Sequence, residues 1–143
     1  MNDLPADRLD ALRTFGRTAP FNVLFGIEIM RAGGGEAELS MPWRAEAGQY
    51  SGFLHAGLIG ALIDTACGCA AATVAGSVLA SHYSVNCLRP AVGERFVARA
   101  RVVKAGRTQL FTAADLFAVS GTKEVLVANG ETILSVIAAR SEA

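Results

Sequence analysis

Residues 52–74 read GFLHAGLIGALIDTACGCAAATV. Within the long stretch from Glu46 to Arg89, Asp64 is the one Asp, Glu, Lys or Arg between those two residues. The run predicts a long helix from about Ala56 to Val74, closed by Gly76 and Ser77. Projected at about 100° per residue, Asp64 shares a stripe with Gly57, Gly60, Gly68, Ala71 and Ala75, and Leu58, Ile59, Leu62 and Cys69 lie opposite. A helix this poor in charge must be covered nearly all round, and a sheet wrapped around it does that.

Outside the helix the punctuation is that of hairpins. Leu4 to Phe15 is amphipathic, with Leu4, Leu9, Leu12 and Phe15 apolar, and Phe21 to Phe25 follows Pro20 as a short helical turn. Ile27–Met30 and Ala37–Met41 read as strands around the turn Gly33-Gly34-Gly35, and 42–52 as an irregular connection. Four more strands are expected at Val78–Leu88, Arg95–Lys104, Thr108–Val119 and Glu124–Ala138, with a bulge at Gly130. Phe96, Ala98, Ala100 and Val102 would face the core, and Arg99 and Arg101 the surface. Sequential hairpins argue for an antiparallel sheet. The chain of 143 residues reads as one domain, with 1–19 as an amphipathic helix and lead-in.

Composition excludes several classes. The 13 basic and 13 acidic residues cancel, and no basic run marks a nucleic-acid or anionic-membrane partner. Residues 57–80 are long enough to span a bilayer, but they are mostly small and hold Asp64, Thr65, Thr73 and Ser77. A carboxylate at a membrane centre costs about 2.5–3.5 kcal/mol, so a core helix is expected. Three cysteines, Cys67, Cys69 and Cys87, are an odd count, and the acidic N-terminus is no secretory signal. Reduced thiols in the cytoplasm are the simplest reading. With two histidines in the chain, no metal site is expected.

The chemistry concentrates at the helix. A buried carboxylate needs a partner or a function to offset its desolvation. Asp64 could activate water or attack an electrophilic carbonyl. Upstream, His55-Ala56-Gly57 stands at the helix start, where free amides and the dipole can hold an oxyanion. Together they point to acyl transfer or hydrolysis. His82 reads as a structural or pocket-lining residue rather than a base, Cys67 has no sequence cause for a lowered pKa, and no nucleophile-elbow pattern supports a serine triad.

Pro20-Phe21 and Gly26, the run GFLHAGLIGALIDTACG, NCLRPA (Asn86–Ala91) and VVKAGRT (Val102–Thr108), in this order and spacing, resemble the PaaI-like hotdog-fold acyl-CoA thioesterases. The resemblance covers about Phe21 to Ala138. It implies an α+β hotdog fold, a six-stranded antiparallel sheet wrapped around one long central helix. It also implies dimers paired sheet edge to sheet edge, with active sites at the interface and tetramers as the common assembly. On this resemblance Asp64 is the catalytic carboxylate, and His55 orders the helix start. Ala56 and Gly57 supply oxyanion amides, with Ala56 where the family usually has glycine. Gln49 stands where the family often has Asn, and Ser81 is the candidate hydroxyl early in the strand after the helix. Leu58 would line the acyl site, and Arg89 and Arg107 would meet the CoA phosphates. CoA is part of the substrate, and no separate cofactor is implied. The alternative is a non-catalytic acyl-CoA-binding hotdog protein, which would need the pocket but not Asp64. A dehydratase or hydratase fits the His-Ala-Gly helix start less well.

Overall fold

The computed structural model describes residues 2–138. The chain runs α1 (Ala6–Gly16), α2 (Pro20–Phe25), β1 (Glu28–Gly33), β2 (Glu36–Pro42), a 3-10 turn at Ala45–Ala47, α3 (Ala56–Ala75), β3 (Val78–Cys87), β4 (Arg95–Ala105), β5 (Gln109–Ser120) and β6 (Lys123–Val136). The strands form one antiparallel sheet in the order β1-β2-β4-β5-β6-β3. The expected α+β architecture, six strands around one long helix, is what is seen.

Local chemistry sets each boundary. Gly34 and Gly35 both take positive φ, which the tight β1–β2 turn requires. The Gly35 N–H then donates to Thr73 Oγ1 at 2.8 Å, and that hydroxyl donates to Ala70 O, tying the hairpin to the end of α3. Gly76, at φ 72°, ends the helix.

α3 packs against all six strands. Its large side chains, Leu58, Ile59, Leu62 and Ile63, are buried with Phe96, Leu110 and Leu116 in one continuous core. The helix is long and apolar enough to cross a bilayer by composition, yet it is the core helix of the sheet. Phe96, Ala98 and Ala100 are buried as the alternation predicts, and Val102 is half-buried.

Two expectations need correction. Gly130 is not a bulge: it pairs in regular register with Val85 on β3 and Ala114 on β5. A Cβ there would lie 2.4 Å from Ser84 O and 3.0 Å from Ile63 Cγ2, so the missing side chain admits the helix, not a kink. The β6 irregularity falls instead at Val127, where Leu116 pairs Ala128 and Phe117 pairs Leu126. Nor is Arg99 merely a surface residue. Its guanidinium donates to Glu38 at 2.9 Å and, through two nitrogens, to Glu124 at 2.9 and 2.7 Å, and it lies 4.9 Å from the centre of the Phe117 ring. This clamp reaches from β2 to β6 across the outer face, and its hydrogen bonds hold the Glu124 carboxyl below its usual pKa.

Candidate active site

Asp64 sits in the middle of α3, half-buried. Its Oδ1 is buried without a hydrogen-bond partner among the described residues. Desolvation raises the Asp64 pKa above the ordinary 3.8. The stripe around it faces the β3 side of the sheet: the Tyr83 ring lies against Gly60, where a Cβ would sit 3.1 Å from Tyr83 Cε2.

At the helix start His55 is the N-cap, its Nδ1 accepting from the Gly57 N–H at 2.8 Å. That bond needs Nδ1 unprotonated, so in the neutral ring Nε2 carries the hydrogen. It also occupies one of the two amides expected to form an oxyanion hole. Ala56 N–H has no partner among the described residues and is the free donor there. Ala56 and Gly57 are both exposed.

Gln49 lies in the turn that leads into α3. Its side-chain oxygen accepts from Ser51 N–H and, at 3.4 Å, from Phe53 N–H, so its carbonyl is committed to the loop. Ser81 occupies the bulge of β3 between Ala80 and His82, and its hydroxyl donates to Ile133 O at 3.2 Å. Leu58 is part of the protomer core and lines no open surface there. Arg89 and Arg107 are both exposed and stand at opposite ends of the sheet. About 20 Å of β5, from Leu110 to Leu116, separates their rows. The Cys67 thiol is fully buried, and burial pushes its pKa up, which removes it as a nucleophile.

The protomer therefore gathers some of these groups and scatters others. Asp64 and Ala56 are eight positions apart on one helix, or about 12 Å of rise. No single carbonyl can touch both within one chain. Two residues escape the motif reading: Tyr83, whose ring lies against Gly60 one turn before Asp64, and Thr132, buried on the inner face of β6. Thr132 had a signal: it interrupts an inward-facing run of Ala128, Gly130 and Leu134 with a hydroxyl.

Comparison with known proteins agrees with this architecture. The profile of the Thioesterase superfamily matches residues 51–125. A crystal structure of a thioesterase family protein from Silicibacter pomeroyi is 36% identical, with a TM-score of 0.83 over 87% of this chain and 93% of that one. A thioesterase from Haemophilus influenzae is 26% identical, with a TM-score of 0.83 over 96% of this chain and 95% of that one. A Thermus thermophilus protein is 28% identical, with a TM-score of 0.73 over 83% and 98% of the two chains. No curated protein sequence matches the chain. The chain belongs to the thioesterase superfamily.

Proposed function

We propose that this protein is an acyl-CoA thioesterase of the PaaI-like type, hydrolysing aryl or medium-chain acyl-CoA to free acid and CoA. The observation that carries this reading is the lone half-buried carboxylate of Asp64 on a helix whose start keeps a free Ala56 amide. In the proposed reaction Asp64 activates water, or itself attacks, at the thioester carbonyl. A C–O bond forms, the oxyanion is met by the Ala56 N–H, and the C–S bond breaks. The leaving thiolate is a weak base and needs little acid assistance. On the nucleophilic route, water then releases the acid from the acyl-Asp64 anhydride.

The distance between Asp64 and Ala56 is best met by two protomers. β3 is a ten-residue edge strand, with Leu79 65% and Tyr83 52% exposed, a surface that invites pairing. Antiparallel pairing of β3 with its copy would set the two α3 helices antiparallel on one face. The start of one helix would then approach the Asp64 turn of the other. The same two-fold would bring Arg89 of one protomer toward the Arg107 end of its partner, giving CoA phosphates two guanidinium groups. Tetramers of such dimers follow the same reading. Cys67, Cys69 and Cys87 are all free thiols, which supports the cytoplasm.

One observation favours the second reading, a non-catalytic acyl-CoA-binding protein: Gln49 Oε1 and the Gly57 N–H are already engaged. The test is thiol release from phenylacetyl-, hydroxybenzoyl-, hexanoyl-, decanoyl- and palmitoyl-CoA, with binding measured alongside. Wild type is expected to turn over, and Asp64→Asn to bind while losing about 10²- to 10⁴-fold in kcat. Binding without thiol release across the panel would replace the enzyme by the binding protein.

A further inference from the structure

The sheet ends in two edge strands, β1 and β3, and the chain treats them differently. Among the described residues, no backbone pairs with the outer edge of β3. The outer edge of β1 is overlaid by the chain's own N-terminal segment. The Leu4 N–H donates to Ala32 O at 2.8 Å, a single rung of the kind an added strand would make. Gly33 makes room for it, because a Cβ there would lie 2.1 Å from Asn2 O and 2.6 Å from Leu4 N. Farther along, the register of β1 against β2 shifts between Ile29 and Arg31, a bulge at Met30. The Arg13 guanidinium covers this bulge, its Nε donating to Ile29 O at 2.9 Å and its Nη2 to Met30 O at 3.1 Å. A rigid fork of donors suits two neighbouring carbonyls in a way that the compact ammonium of lysine does not. Asp3 with Arg31, at 3.1 Å, and Arg17 with Glu28, at 3.0 Å, fasten the two ends of the segment to the same strand.

We propose that residues 2–17 are a strap that masks a second self-pairing surface: with the strap seated, copies of this chain join through β3 alone, and with it displaced the β1 edge takes up another copy. The groups that the strap satisfies are main-chain carbonyls of Ile29, Met30 and Ala32, and the natural replacement for its donors is the N–H row of another strand edge. A second copy of this chain always carries such an edge in β3. The masking decides how assembly ends. One open edge per protomer closes as a two-fold pair, whereas two open edges let copies add at either end without closure. The strap is also built to be displaceable. No residue of α1 is buried, and the apolar anchors of the segment, Leu4, Leu9 and Leu12, are half-buried. Exposed ion pairs such as those of Arg31 and Arg17 contribute little. The hold therefore falls to the three carbonyl bonds and the leucines, which places the segment among the parts of the molecule that open most easily.

The inference rests on the β3 pairing proposed above for the way wild type assembles, so its test compares variant with wild type. In the full-length chain, Leu4→Pro with Arg13→Ala removes all three donors to the β1 carbonyls. Mass is followed by light scattering as concentration rises, and amide exchange is read along Glu28–Gly33. Wild type is expected to reach a constant mass. The double variant should keep gaining mass, to at least about twice the wild-type value, while the Glu28–Gly33 amides become protected. Should the double variant not fold by circular dichroism, Gly33→Ala is measured in its place, since it keeps every side chain of the strap and pushes the segment off from below. A folded variant that holds the constant wild-type mass overturns the proposal. So does growth that leaves the Glu28–Gly33 amides unprotected, because association then uses another surface. A monomeric wild type would count against the β3 pairing alone, because the strap is read from the difference between the two proteins.

Discussion

Asp64 carries a cost that its surroundings make visible. Burial raises its pKa above 3.8, the value expected in the unfolded chain. Between those two pKa values the unfolded state has released the proton and the folded state still holds it. The unfolded state binds fewer protons there, so stability falls as pH rises through this window. Below 3.8 the penalty is absent, and above the folded pKa it is complete. Asp64→Asn is therefore expected to melt higher than wild type at neutral pH, by about 2–4 °C for each kcal/mol relieved. That gain should vanish when both are melted near pH 3. Equal melting temperatures at neutral pH would mean that the carboxylate is fully compensated. Asp64 itself was legible in the sequence because a single charge in an apolar run stands out without any knowledge of neighbours. His55 was legible as a residue of the helix start, but its bond to the Gly57 N–H was not. That bond depends on the side-chain rotamer, which the order of residues does not specify.

At the scale of the element, α3 and β6 meet through an absence. Gly130 has no side chain because the helix occupies the space, and an added Cβ would press on Ser84 O and Ile63. Backbone cannot yield as a flexible side chain can. Gly130→Ala is expected to destabilise the protein by about 1–3 kcal/mol, measured by urea unfolding. It should also loosen β3 from β6, read as faster amide exchange along Val78–Cys87. Unchanged exchange there would show that the strands shift together to make room. The strand pattern did not reveal this role, since a glycine inside a strand signals either a bulge or a close approach. The bulge lies at Val127, three residues earlier, and only the register distinguishes the two.

For the whole molecule, the decisive feature is the open edge. A long strand with unpaired backbone groups and exposed Leu79 and Tyr83 is an aggregation hazard unless something covers it. If a second copy covers it, as proposed, each active site takes Asp64 from one protomer and the Ala56 amide from the other. Ala56→Pro tests this with little collateral damage. Ala56 is the first helical residue, where proline is tolerated, and His55 already has the extended conformation that a residue before proline prefers. The substitution removes the free N–H and nothing else of the cap. Asp64→Asn and Ala56→Pro homodimers should each be nearly inactive. Subunit exchange between them should restore about a quarter of wild-type activity, because half the dimers are mixed and each mixed dimer has one intact site. No recovery after exchange, verified by mass, would place both groups of a site in one chain.

The long helix, most of the strands, the hairpin turns and the singular carboxylate were all legible in the order of residues. These are local signals: periodicity reports which face of an element is buried, and glycine and proline report where the chain turns. Only three-dimensional packing brings Tyr83 against Gly60, carries Arg99 to Glu38 and Glu124, and holds Arg89 and Arg107 apart in one protomer. Each of those facts depends on strand order and register between residues far apart in the chain. Register is set by how whole faces pack together, and no short stretch of sequence contains both partners.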